Sequence, residues 1–121
     1  MSKVILVVED SPSIRKFISL ALKIQSYKVI TAEDGMQALE ILSQENQVDL
    51  VLTDLNMPNM DGIELIKEIR KNPNYVDLPI IILSSLTSER DINEGLDAGA
   101  DSYLIKPFNT KKIQYEISKY L

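Results

Sequence analysis

The feature that most narrows the fold is a pattern that recurs five times: a short apolar run, a turn, then a stretch of helical period. The runs occupy residues 3–8, 28–31, 49–53, 79–83 and 102–105. The first, third and fourth are almost unbroken Val, Ile and Leu, whereas a strand wetted on one face would alternate. These three are therefore expected to be covered on both faces.

The intervening stretches carry helix signals. Ser11-Pro12 offers a capping hydroxyl followed by a proline at the first helical position. Ile14, Phe17, Ile18, Ala21 and Leu22 then fall on one helical face. Asp34 with Gln37, and Asp61 with Glu64, have capping-box spacing. Asn109 opens the last helix, whose stripe is Ile113, Ile117, Tyr120 and Leu121. Residues 88–98 form the weakest helix, with Gly95 inside it, only Ile92 and Leu96 as large apolar anchors, and a stop at Gly99. Strict βα alternation implies a parallel sheet with helices on both faces and right-handed crossovers. The 121 residues suit one domain spanning 1–121, of class α/β and doubly wound. Five strands fit the flavodoxin-like order 2-1-3-4-5, in which ligands bind beyond the C-terminal strand ends.

Those ends carry Glu9-Asp10, Asp54, Ser84-Ser85 and Lys106-Pro107. Three carboxylates, hydroxyls and an ammonium thus meet on one rim. Like charges so close are unfavourable unless neutralised. Oxygen ligands without His or Cys suit a hard cation, most simply Mg²⁺, with Mn²⁺ as a substitute. Such a rim, completed by Lys106 and Ser84, is arranged to hold a phosphoryl group by charge and position. Any one of these residues alone is better read as a helix cap or a solvated charge; four matching strand ends are harder to dismiss.

Composition removes the competitors. The chain has no cysteine and no histidine, which excludes disulfides, Cys/His zinc sites, thiol nucleophiles and a self-contained histidine triad. A net charge of −5 argues against nucleic acid as a partner. The longest apolar run, Val4–Val8, falls far short of the ~20 residues of a membrane span, and no signal peptide follows Met1. A cytoplasmic monomer with no membrane or nucleic-acid partner is the expectation.

The local sequences go further. Val7-Val8-Glu9-Asp10-Ser11, Thr53-Asp54-Leu55-Asn56-Met57-Pro58-Asn59-Met60-Asp61-Gly62, Pro79-Ile80-Ile81-Ile82-Leu83-Ser84-Ser85, Gly99-Ala100-Asp101 and Lys106-Pro107-Phe108 occur in order across nearly the whole chain. Together they resemble the response-regulator receiver domain of two-component signalling, of the CheY-like type. The resemblance implies that Asp54 is the phosphoacceptor, forming an acyl phosphate. It implies Mg²⁺ held by Asp10, Asp54 and the backbone carbonyl of Asn56, with Glu9 assisting. Lys106 would pair with phosphoryl oxygens, ahead of a cis bond to Pro107. Ser84 would move to hydrogen-bond the phosphoryl group and Tyr103 would swing inward, altering the surface of helix 4, strand 5 and helix 5. Asn56 and Leu86 would tune phosphoryl lifetime. Glu9 stands where Asp is commoner, Ser84 where Thr is, and Ser85 where Ala is.

The implied partners are a sensor histidine kinase and a downstream protein, either a chemotaxis motor switch or a histidine phosphotransfer protein. Because the chain stops at Leu121 within the last helix, a stand-alone regulator is expected, with a phosphorelay intermediate or a fragment of a larger regulator as alternatives. It would not be a turnover enzyme, catalysing only its own phosphorylation and dephosphorylation. An Asp-nucleophile phosphatase would need a second carboxylate where Asn56 stands, and a dinucleotide or P-loop site would need glycines the strand 1 turn lacks. A degenerate receiver would have lost Asp54 or Lys106. Blander roles are core cover for Tyr103, loop packing for Met57 and Met60, and a solvated basic face for Lys111, Lys112 and Lys119.

Overall fold

The computed structural model describes residues 2–44 and 47–121. Five parallel strands, β1 (Val4–Val8), β2 (Lys28–Ala32), β3 (Leu50–Asp54), β4 (Ile80–Ser84) and β5 (Ser102–Ile105), form a sheet in the order β2-β1-β3-β4-β5. Between and after them run α1 (Pro12–Ile24), α2 (Gly35–Gln44), α3 (Gly62–Lys71), α4 (Glu89–Ala98) and α5 (Thr110–Ser118), with a short 3₁₀ turn at Pro73–Tyr75. This is the flavodoxin-like architecture that the alternation demands. Among the described residues no helix is long and apolar enough to cross a membrane.

The continuous apolar runs have a simple cause. Leu6, Val8, Val51, Ile80 and Ile82 pack beneath α2 and α3, while Ile5, Val7, Leu50, Leu52, Ile81 and Leu83 pack against α1 and α5. Successive residues of a central strand therefore enter opposite cores, which is why the runs are apolar up to their C-terminal ends. Each such Ile or Leu, fully withdrawn from water, contributes about 1.5–3 kcal/mol. The edge strands β2 and β5 are only partly buried, with Ala32 and Leu104 their buried residues.

The ladder extends past the apolar runs. Asp54 and Ser84 are the last residues of β3 and β4, paired with Leu83 and Ile105, although their side chains are polar. Hydrogen-bond pairing, not hydrophobicity, sets the true strand end. Both residues are thus fixed by the sheet and not carried on loops.

Four helix expectations need correction. Phe17 is 44% exposed, because only Ile18, Ala21 and Leu22 of its stripe are fully buried between α1 and the sheet. Leu96 does not anchor α4; it is 39% exposed, and the buried residue is Gly95. There a Cβ would overlap Ile82 Cδ1, so the missing side chain is what lets α4 lie on β4 and β5. Gln37 accepts from Glu33 N–H instead of reaching back to Asp34, leaving Asp61–Glu64 as the reciprocal box. Finally α5 closes at Ser118 with turn bonds from Lys119 N–H to Glu116 and Ile117, so Tyr120 and Leu121 lie beyond the helix. They still cover the α1/α5 core, and Tyr120 donates its hydroxyl to the Asp101 carbonyl at 3.2 Å.

Candidate functional site

Register brings the rim residues together. Val8 pairs with Thr53, so Glu9 and Asp54 emerge at one level, and Lys106 N–H bonds the Ser84 carbonyl at 2.8 Å. Ligand oxygens of Glu9, Asp10 and Asp54 lie within 4.8 Å of one another. Glu9 and Asp54 are buried at 1% and 7% exposure, while Asp10 faces solvent. The trio thus has a buried floor and an open mouth.

Each carboxylate is oriented. Asp54 Oδ1 accepts from the Leu55 N–H at 2.8 Å, leaving Oδ2 turned to Lys106 Nζ at 3.3 Å. Glu9 Oε1 accepts from the same ammonium at 2.9 Å, and its Oε2 from Ser11 N–H at 3.3 Å. Arg15 donates to the Glu9 carbonyl at 2.8 Å and so fixes the backbone between Glu9 and Asp10. Partial desolvation, then the adjoining Glu9 carboxylate, hold the Asp10 carboxyl above its ordinary value. Burial by itself would lower the Lys106 ammonium, but the bond to Glu9 and the charges of Asp54 and Glu9 outweigh it and raise the group. Lys106 therefore stays cationic. The Lys106–Pro107 peptide is cis, the isomer implied by the resemblance.

The donor set fits a hard divalent cation. Three carboxylates converge, neither His nor Cys is present in the chain, and one ammonium cannot compensate all three charges. Asn56, the further residue expected to contribute, lies exposed two residues past Asp54, in the loop leading to α3. Gly62 brings that loop back, donating its N–H to the Leu55 carbonyl at 2.9 Å. A Cβ there would collide with the Asp54 carbonyl oxygen and stand 2.9 Å from Leu55 Cα.

Ser84 and Tyr103 do not hydrogen-bond each other; both grip Leu86. Ser84 Oγ accepts from the Leu86 N–H at 3.1 Å, and the Tyr103 hydroxyl donates to the Leu86 carbonyl at 3.1 Å. Ser84 is buried, and its hydroxyl hydrogen remains available to an acceptor at the rim. Tyr103 is half-buried, its ring 3.6 Å from where a Gly95 Cβ would stand. The phenol already holds an inner position. Beside the rim, Ile14, Phe17, Pro107 and Phe108 form an apolar groove that runs up to Ser85 and Lys106, which accounts for the exposure of Phe17.

Three residues have supporting roles that the sequence does not announce. Arg70 donates to the carbonyls of Gly99, Tyr75 and Leu78 and to Asp101, tying α3 to the loop before β5. Gly95 seats α4. Asp34 accepts from Asn59 Nδ2 at 2.7 Å across 25 residues. An internal helical glycine is a readable signal of close packing, but the arginine and Asp34–Asn59 contacts leave no local trace.

Comparison with known proteins agrees with this geometry. The profile for "Response regulator receiver domain" matches residues 5–118. A "probable transcriptional regulator ycf27" from Porphyridium aerugineum is 42% identical over 117 residues, covering 97% of this chain and 47% of that protein. The chain therefore spans about half the length of that relative. Among solved structures, chemotaxis response regulator CheY4 of Vibrio cholerae is 36% identical with a TM-score of 0.94, each chain covered completely. The receiver domain of a Pseudomonas aeruginosa sensor histidine kinase is 32% identical with a TM-score of 0.90, covering 99% of this chain and 98% of its own, and carries a magnesium ion in its active-site cleft.

Proposed function

The chain belongs to the response-regulator receiver family of two-component signalling, and from that premise we propose that it is a phosphorylation-controlled switch whose acceptor is Asp54. The observation that carries this reading is the placement of Asp54 at the end of β3, one oxygen bonded to the Leu55 N–H and the other facing Lys106. The Asp54 carboxylate attacks the phosphorus of a histidine kinase's phosphohistidine. The P–N bond breaks, the imidazole leaves with the bonding pair, and an acyl phosphate remains on Asp54. Mg²⁺ or Mn²⁺, held by Glu9, Asp10, Asp54 and the Asn56 carbonyl, would supply positive charge to the phosphoryl oxygens. Lys106 contributes a second positive charge, Ser84 a hydroxyl donor. The histidine absent from this chain belongs to its partner. The protein turns over no substrate of its own beyond gaining and losing this phosphate, at a rate tuned by Asn56 and Leu86.

The output is a change at α4, β5 and α5. Ser84 Oγ accepts from the Leu86 N–H, so a shift of Ser84 toward a phosphoryl oxygen is transmitted to Leu86, the residue that also holds Tyr103. The tyrosine is already tucked in, so phosphorylation would tighten an existing hold instead of swinging the ring from solvent. α4 has one fully buried residue, Gly95, and is the element a small bias can shift.

A diffusible cytoplasmic regulator, in chemotaxis or an analogous pathway, is supported by the end-to-end match to CheY4. The match to half of a longer transcriptional regulator supports the second reading, a receiver that serves an attached output domain. Fluoroberyllate with Mg²⁺, a phosphoryl mimic, tests the switch: amide signals should move around Ser84, Leu86, Tyr103 and α4. Changes confined to Glu9, Asp10 and Asp54 would remove the output half of the proposal.

A further inference from the structure

The loop from Leu55 to Asp61 is held at its base by the Gly62–Leu55 bond, and its tip is held by a different element. Asn59 Nδ2 donates to Asp34 Oδ2 at 2.7 Å, and the Met60 carbonyl accepts from Gly35 N–H at 3.2 Å. Asp34 is 6% exposed, and its other oxygen accepts from the Gln37 N–H at 2.9 Å. Asn59 has φ 67°, a conformation in which Asn is tolerated better than most residues. A Cβ at Gly35 would stand 2.7 Å from Met60 Cγ and 2.9 Å from the Met60 carbonyl oxygen, so the loop lies flush on the start of α2. Helix capping explains one oxygen of Asp34 only. The other is spent on a loop 25 residues away.

Asn56 stands between these two anchors. We infer that Asp34 and Asn59 are positioning residues for the metal site: their hydrogen bond fixes the tip of the loop, and through it the Asn56 carbonyl. The inference rests on the reading that this carbonyl is a metal ligand. The Gln37 N–H first, and the Asn59 amide second, hold the Asp34 carboxyl below its ordinary value, so it remains a charged acceptor at neutral pH. Partners hydrogen-bonded to a ligand alter metal affinity by about 10–100-fold when lost. This bond acts on Asn56 through the backbone from Asn59, so about tenfold, the low end, is the expectation.

Two substitutions isolate the bond. Asn59→Gly removes the side chain while suiting the positive φ, and Asp34→Ser keeps a helix-capping oxygen but is too short to reach Asn59. Mn²⁺ titration, followed by the electron-spin signal of free Mn²⁺, should show each variant binding about tenfold more weakly than wild type. The double variant should bind no more weakly than the weaker single, since one bond is lost in every case. Unchanged Mn²⁺ affinity, whatever happens to the unfolding midpoint, overturns the inference, as do losses that add in the double variant. A wild-type protein that binds no Mn²⁺ would instead overturn the metal-site reading beneath it.

Discussion

The Lys106 ammonium is bonded more closely to Glu9 than to the proposed acceptor: Nζ stands 2.9 Å from Glu9 Oε1 and 3.3 Å from Asp54 Oδ2. A lysine so placed does two opposed things. It compensates buried carboxylates, and it competes with a cation for them. Lys106→Met should therefore bind Mn²⁺ more tightly, on the order of tenfold at low salt, while losing most of its rate of phosphorylation by small donors. Calorimetric titration and labelling kinetics report the two effects separately. Weaker Mn²⁺ binding in the variant would contradict the competition.

Because Lys106 is raised above its ordinary value near 10.5, its contribution to stability has a fixed sign. It is fully present below that value and is lost as pH rises through the still higher folded value. Glu9→Gln removes the bonded carboxylate and should bring the loss to lower pH. Denaturant unfolding from about pH 10 upward compares the two curves. Identical alkaline limbs would mean that Glu9 does not hold the lysine.

Gly62→Ala should destabilise the fold by about 1–3 kcal/mol, since the new methyl meets backbone atoms of Asp54 and Leu55 that cannot step aside. The displacement falls on the acceptor itself, so labelling should slow even at temperatures where the variant is folded. Thermal denaturation with labelling on the same sample is the check.

Much of this was legible in the sequence, for identifiable reasons. β1, β3 and β4 announce themselves because both faces are buried, and the rim residues follow as the first polar side chains after those runs. The exposure of Phe17 and Leu96 was not legible: a helical stripe marks a direction but not its width, and each residue sits at the margin of its helix's covered face. Leu86 was singled out for phosphoryl lifetime, but its role as shared partner of Ser84 and Tyr103 uses backbone atoms, which carry no residue signature. Asp34–Asn59 and the Arg70 contacts join distant segments and exist only once the chain has folded.

Tyr103→Phe tests the shared grip on Leu86. Losing the hydroxyl's bond to the Leu86 carbonyl should cost about 0.5–1.5 kcal/mol and leave Asp54 labelling near the wild-type rate. The fluoroberyllate response of α4 should shrink while that of Glu9 and Asp10 persists. An unaltered α4 response would show that the coupling bypasses the phenol.

The central claim is that Asp54 accepts a phosphoryl group, and intact mass measures it directly. Incubated with acetyl phosphate and Mg²⁺, the wild-type protein should gain the mass of one phosphoryl group, sensitive to hydroxylamine as an acyl phosphate is. Asp54→Asn, under the same conditions, should gain none. Equal labelling of the two proteins, or no labelling of wild type while fluoroberyllate still binds, would contradict the assignment.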